Sequence, residues 1–144
     1  KVPVHLLSLT QVGEDAPVEK QQQRSSVVTL INRSLKAQKA IACSGEDEYA
    51  VCGYGLEPAL AAFSISRGYT DIEDGSFSVG GVPEGSYVLW IDWFRPSAGD
   101  WNTGSLYRWL IPLVIGEQKK IDLELNEDNL SYIFMDFPRS RYTP

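Results

Sequence analysis

Residues 70–91 read TDIEDGSFSVGGVPEGSYVLWI, and this stretch decides how the chain is expected to fold. The Asp-Gly pair at 74–75 is a strong tight-turn signal, and residues 80–85 (GGVPEG) mark a second chain reversal. Between the turns lie short runs of β-branched and aromatic residues, which favour strands. The stretch therefore predicts successive antiparallel strands joined by tight turns.

The same β pattern extends outward from this stretch. Within residues 119–126 (KKIDLELN), charged and apolar side chains alternate from Lys120 to Leu125, which is typical of a half-exposed strand. Residues 86–94 (SYVLWIDWF) are apolar on both faces, as in a central strand. Residues 27–32 and 106–115 are further β-rich runs. No long segment shows a clear helical period, so an all-β fold is expected.

The remaining segments complete the expected architecture. Residues 14–26 and 95–104 are polar or rich in turn-forming residues, and both are predicted as loops. Residues 59–66 become strand-like toward their end, while Ala59–Ala62 could be strand or helix. We expect one domain over residues 1–144, a sandwich of about seven to nine antiparallel strands. Its N-terminal strand (1–12) and C-terminal extension (134–144) are candidates for contacts between subunits.

A family resemblance supports the sandwich. The Asp-Gly turn is followed by an aromatic residue and then by an apolar-Pro-x-Gly-x-Tyr-x-apolar run. The matching positions are Asp74, Gly75, Phe77, Val79, Val82, Pro83, Gly85, Tyr87 and Leu89. Over about Leu60–Asn126 the chain thereby resembles the transthyretin-like, or carboxypeptidase regulatory-like, β-sandwich, a class related in shape to immunoglobulin-like domains. The resemblance implies a non-enzymatic, extracytoplasmic accessory domain. Its enzymatic relative, hydroxyisourate hydrolase, uses several histidines, and this chain has one.

Charge and hydropathy narrow the class of partner. The formal charge is −6, which argues against nucleic acids and anionic membranes, because both require a basic surface. The longest apolar run, residues 109–115, is far shorter than the ~20 residues of a membrane-spanning helix. The chain begins at Lys1, as expected of a mature N-terminus after removal of a leader. Sequons at Asn32 and Asn129 also fit secretion, and whether they carry glycans stays open.

The two cysteines predict a short disulfide-closed loop. Cys43 and Cys52 flank an acidic, glycine-containing stretch. A structural zinc site needs about four ligands, and the spacing is not that of a redox motif. The alternative is a pair of reduced, buried thiols in a cytosolic protein. A disulfide favours an extracellular or cell-surface location.

Catalytic and metal chemistry are weakly represented. His5 stands at the extreme N-terminus, away from any serine-centred nucleophile motif, so we expect a non-enzyme. No cofactor is expected. Two acidic clusters are weak calcium candidates, although solvated loops are the favoured interpretation because neither has the spacing of a calcium loop. The candidates are Glu46, Asp47 and Glu48 in the first cluster, and Asp71, Glu73 and Asp74 in the second.

Two functions remain after these exclusions. The first is a self-associating subunit of a surface assembly or filament, formed by strand addition to itself or to another surface protein. The expected contact residues are Val2, Val4, Leu6, Trp101 and Tyr142. The alternative is a carbohydrate-binding module, since exposed aromatic rings stack on sugars. Its candidate residues are Trp101, Tyr107 and Trp93.

Overall fold

The structure is a computed structural model that describes residues 1–10, 12–117 and 120–142, with the side chains of Glu46 and Asp47 outside the description. Its regular structure is mostly β. The strands are β1 (Pro3–Leu7), β2 (Ile41–Ser44), β3 (Ser64–Tyr69), β4 (Gly85–Ser97), β5 (Asp100–Ile115) and β6 (Tyr132–Pro138). The helices are α1 (Val18–Lys36), α2 (Glu46–Tyr49) and α3 (Glu57–Ala62), with 3₁₀ turns at Glu127–Asn129 and Arg139–Arg141.

The strands form one six-stranded sheet in the order β2-β6-β5-β4-β1-β3. A long hairpin of β4 and β5 makes its centre, with Gly85 opposite Ile115 at one end. Neighbouring strands are antiparallel except for β2 and β6, which are parallel. The N-terminal strand β1 lies between β3 and β4, so it is an interior strand of the sheet.

The expected sandwich of two packed sheets is not confirmed, although the β-rich composition is. All six strands in the described part of the chain belong to one sheet. Helices cover one face of that sheet, and two extended segments cover the other. The strand count is therefore below the seven to nine expected, because several β-patterned segments make no ladder.

Helix α1 corrects two expectations, a loop over residues 14–26 and a strand over residues 27–32. One helix runs from Val18 to Lys36. Residues 20–24 (KQQQR) are good helix formers, and Pro17 fixes the backbone angle of the residue before the helix. The apolar run looks continuous in sequence, but only Val27, Leu30 and Ile31 of the helix are buried. That spacing is helical, but the β-branched residues within the run favour a strand and therefore led to the wrong prediction.

Two shorter segments also differ from expectation or resolve an open one. Residues 59–62 belong to α3, where Pro58 occupies an early position that proline tolerates. The loop expected over residues 95–104 is a hairpin, because β4 continues to Ser97 and β5 begins at Asp100. No helix in the described part of the chain is long and apolar enough to span a membrane.

The strands expected over residues 77–79 and 119–126 are not formed. Residues 77–79 and 120–126 are extended without assigned pairing, and Lys119 lies outside the described residues. The turn between β3 and residues 77–79 is as predicted. Gly75 has φ 71°, and the Asp71 N–H donates to the Ser76 carbonyl at 2.7 Å. Alternating hydropathy reports which side chains face a core, and an extended segment can satisfy it without a ladder.

The disulfide is confirmed. Cys43 on β2 is bonded to Cys52, with the two Cα atoms 6.3 Å apart. Both residues are buried, so the bond ties the short edge strand β2 to the turn that follows α2. Closing a loop of this size stabilises a fold by about 2–3 kcal/mol.

Candidate functional site

The two faces of the sheet have different covers. The helix face packs its apolar side chains against α1 and α3, including Val27 and Leu60, both fully buried. The opposite face, here called the open face, packs against a first strap (residues 77–84) and a second strap (residues 120–126). The side chains that the straps place on the open face are only partly buried. They are Phe77, Val79 and Val82 from the first strap, and Leu123 and Leu125 from the second.

A groove of about 1220 Å³ on the open face is lined by the sheet and by both straps. Its floor is apolar. The floor residues are Leu6, Leu89, Ile91, Trp109, Leu113 and Ile115. Along β5 the floor runs from residue 109 to residue 115, an extended length of about 20 Å. A floor of this length suits an extended occupant of about seven residues.

The backbones of the straps are not paired. Among the described residues, we find no backbone hydrogen bond that joins residues 77–82 or 120–125 to a neighbouring strand or to each other. Both straps nevertheless border the same groove. An extended segment with free N–H and C=O groups is a template for another strand. In the described part of the chain, the open face is therefore covered by extended segments that form no ladder.

Buried aromatic side chains anchor one end of each strap. The Tyr87 hydroxyl donates to the Pro83 carbonyl at 2.8 Å, which fixes the end of the first strap. The Trp109 indole N–H reaches the Asn126 carbonyl at 3.0 Å, at the end of the second. Asn129 adds a bond from its side-chain amide to the Glu124 carbonyl at 2.7 Å. These bonds position the straps without filling the space between them.

The rim of the groove is acidic. The carboxylates that border it are Asp74, Glu84, Glu117, Asp122 and Glu124, all exposed. Lys120 is the one cation among the described lining residues, and its ammonium lies 3.5 Å from the Asp122 carboxylate. Hydrogen bonds from Ser76 lower the pKa of Asp74, so this carboxylate stays ionised. The groove thus combines an apolar floor with a negative rim.

The three aromatic residues expected to bind sugars do not lie together. Trp93 and Tyr107 are directly opposite on β4 and β5 and stack with ring centroids 5.4 Å apart. Trp93 is 43% exposed and also lines the groove. Trp101 is 70% exposed, with the Arg139 guanidinium 5.4 Å from its ring centre. The structure therefore brings together two of the three residues.

The residues expected to contact other subunits are mostly engaged within the chain. Val4 and Leu6 are buried on the open face, and the half-buried Val2 lines the groove. Tyr142 is half-buried and stacks on Phe94 with ring centroids 5.6 Å apart. Val4 could meet another subunit only if β1 left this sheet, whereas Leu6 is part of the groove floor.

The described calcium candidates accept hydrogen bonds from backbone N–H groups of their own turns. The Asp71 carboxylate accepts from the Glu73 N–H at 2.7 Å, and the Asp74 carboxylate accepts from the Ser76 N–H at 2.9 Å. Glu48 accepts from the Ser44 N–H at 2.8 Å. The side chains of Glu46 and Asp47 lie outside the described residues. Within the described part of the chain, no three histidine, cysteine or acidic residues are grouped as metal ligands would be.

A buried arginine on the helix face is the polar feature that sequence reasoning missed. Arg108 is fully buried and bonds to the Asp92 carboxylate at 2.8 Å and to Glu57 at 3.0 Å. It also donates to the carbonyls of Cys52 and Gly53. Burial alone would lower the pKa of Arg108, but the two carboxylates outweigh burial and raise it, so the guanidinium stays charged. Arg108 is the one charged residue within the mostly apolar run 106–115, and this was the feature of the sequence that could have indicated a buried ion pair.

His5 is part of the packing and not a free surface base. Its ring stacks on Trp90 with centroids 4.5 Å apart, and its Nδ1 lies 3.2 Å from the Ser64 hydroxyl. Burial lowers the pKa of His5, the charge of Arg67 lowers it further, and Asp92 opposes both. The imidazole is therefore neutral at physiological pH, with its ring held against the sheet.

Comparisons with protein-family models, curated proteins and solved structures find no match for this chain. The resemblance to transthyretin-like domains therefore stays a hypothesis. The open face is the part of the described structure where an apolar groove, unpaired straps and an acidic rim coincide.

Proposed function

We propose that this chain is a non-catalytic, extracytoplasmic interaction domain that accepts an extended segment of another protein in the groove of its open face. The observation that carries the proposal is the pair of unpaired straps that border one apolar groove. Strand addition gives affinity through main-chain hydrogen bonds and specificity through alternate side chains. The floor side chains supply the apolar contacts for every second residue of such a segment.

The extracytoplasmic part of the proposal is supported by the disulfide. The two sequons differ in what they allow. Asn32 is exposed on α1, whereas the Asn129 side chain is bonded to the Trp109 indole and the Glu124 carbonyl. In a eukaryotic secretion host, Asn32 is the sequon we expect to be glycosylated.

Self-association by strand addition, the form expected from sequence, would have to use other residues. Both sides of β1 are occupied, so the N-terminal strand is not available as a donor. Among the described strands, β3 is an edge strand of the sheet, with Ile65 and Tyr69 exposed. We therefore propose that a segment of a partner protein binds in the groove, and that any pairing between copies of this chain uses β3. If the chain is related to transthyretin-like sandwiches, we propose that the two straps take the place of the second sheet.

Selection from a random peptide library displayed on phage tests the proposal. We expect the intact protein to enrich peptides with apolar residues at every second position. Leu113→Arg places a long cation in the groove and should abolish enrichment, while Leu35→Arg, at an exposed position on α1, should not. Slower amide hydrogen exchange in both straps on addition of a selected peptide provides a second readout. Absence of enrichment by the intact protein, or unchanged enrichment by Leu113→Arg, would contradict the proposal.

Carbohydrate binding is the second candidate, and the stacked Trp93–Tyr107 pair favours it. A half-exposed indole beside a second ring offers a flat apolar surface of the kind that sugars stack on. On a glycan array, Trp93→Ala should remove binding, whereas Trp101→Ala should leave it intact. Equal losses in the two variants would argue against this site.

A further inference from the structure

We infer that the segment accepted by the groove alternates apolar with basic side chains, an inference that rests on the proposed function. An extended chain places successive side chains on opposite faces. Residues that point to the floor meet Leu89, Ile91 and Leu113, so they must be apolar. The residues between them point outward, toward the rim.

The outward side of the second strap determines the charge of these residues. Leu123 and Leu125 are half-buried over the sheet, whereas Asp122 and Glu124 alternate with them and are exposed. A segment beside this strap would place its outward side chains next to the two carboxylates. Directly opposed side chains on neighbouring strands lie about 4.5–5.5 Å apart, close enough for opposite charges to attract.

The ends of the groove strengthen the same preference. Asp74, Glu84 and Glu117 add negative charge around the opening, and Lys120 is already paired with Asp122. Lys or Arg in the segment would meet at least one carboxylate over most of its length. Glu or Asp in the same positions would be repelled from both ends.

Three synthetic peptides of about seven residues test the inference, since that length spans about 20 Å when extended. They alternate Val with Lys, Val with Gln, or Val with Glu, and binding is followed by the fluorescence of the groove tryptophans in the full chain. We expect the Lys peptide to bind at least about tenfold more tightly than the Glu peptide at low salt, with the Gln peptide between them. At about 0.5 M salt the difference should shrink, because exposed charges are screened.

Charge reversal on the protein provides the matched control. The double substitution Asp122→Lys and Glu124→Lys should weaken binding of the Lys peptide and strengthen binding of the Glu peptide. Glu14→Lys with Asp15→Lys makes the same change in net charge at exposed positions before α1 and should leave the order unchanged.

The failures of the two proposals can be told apart. Equal affinity for the three peptides, still abolished by Leu113→Arg, would overturn the charge inference and leave the groove function standing. If both charge-reversal variants reverse the order of peptide affinities, the preference follows net charge and not the groove. That result would also overturn the charge inference. Absence of binding by all three peptides, while the intact protein still enriches other peptides from the library, would overturn the inference alone, whereas absence of enrichment as well would overturn the proposed function.

Discussion

The helix face and the open face are built on the same strands, yet they are completed differently. On the helix face, α1 and α3 place fully buried side chains such as Val27 and Leu60 against the sheet, and the buried Arg108 network lies beneath the disulfide loop. On the open face, the straps contribute half-buried side chains and no ladder. One face is a finished core, while the other, in the described part of the chain, keeps half-buried apolar surface and straps without a ladder.

Removing Arg108 gives the largest expected effect, on the finished face. Arg108→Met leaves Asp92 and Glu57 without their buried cation, and we expect a loss of about 3–5 kcal/mol in the free energy of unfolding. Urea denaturation measures this loss. Arg95→Met, at an exposed position on β4, should stay within about 0.5 kcal/mol of the unmodified protein. A cost below about 1 kcal/mol for Arg108→Met would show that the network is dispensable.

A matched pair of leucines compares the two faces directly. Leu60→Ala removes a fully buried side chain from the helix face and should cost about 2–5 kcal/mol in unfolding free energy. Leu123→Ala removes a half-buried side chain from the second strap and should cost about 1 kcal/mol. Thermal and urea denaturation of both variants measure the difference. Equal costs would mean that the straps are as firmly packed as the helices.

Removing the disulfide tests whether the two faces are independent. Cys43→Ala with Cys52→Ala should lower the free energy of unfolding by about 2–3 kcal/mol, since it opens the closed loop on the helix face. Affinity of the folded variant for a peptide selected by the groove should change by less than about twofold. Reduction of the unmodified protein is the control for effects of the substitutions themselves. A large loss of peptide affinity would contradict the separation of the faces.

The smallest expected effect is a pH dependence from His5, the one histidine in the chain. Because burial lowers its pKa below the usual 6.5, the unfolded chain takes up this proton more readily than the folded chain. The neutral ring therefore contributes stability above about pH 6.5, and this contribution is lost as the pH falls through the folded-state pKa. His5→Gln should flatten the dependence of unfolding free energy between about pH 7 and pH 5. An unchanged slope in this variant would contradict the assignment.

Some features of the fold could be predicted from local chemistry. The Asp-Gly turn at 74–75, the disulfide and the central strand over residues 86–94 depend on nearby residues, and the structure has all three. Helix α1 could not be predicted reliably. Residues 27–31 (VVTLI) satisfy both a strand and a helix pattern, and only packing against the sheet shows which side chains are buried.

The candidate site was harder to predict than the fold. Over residues 122–125 the alternation correctly indicated two half-buried leucines between exposed carboxylates, but alternation is the same with or without a hydrogen-bonded neighbour. Whether a strap has a ladder depends on what lies beside it, which local sequence does not determine. The Arg108 network was hidden for a similar reason, because Glu57 and the Cys52 carbonyl meet Arg108 only through the fold.

Amide hydrogen exchange of the full chain, read residue by residue, tests the central claim most directly. We predict slow exchange in β4 and β5, fast exchange in residues 77–82 and 120–125 of the free protein, and slowing of the straps when the alternating Val–Lys peptide is bound. If the straps of the free protein exchange as slowly as the central hairpin, they already form a ladder. The open face would then be a closed sandwich layer with no place for a partner strand, which would contradict the account.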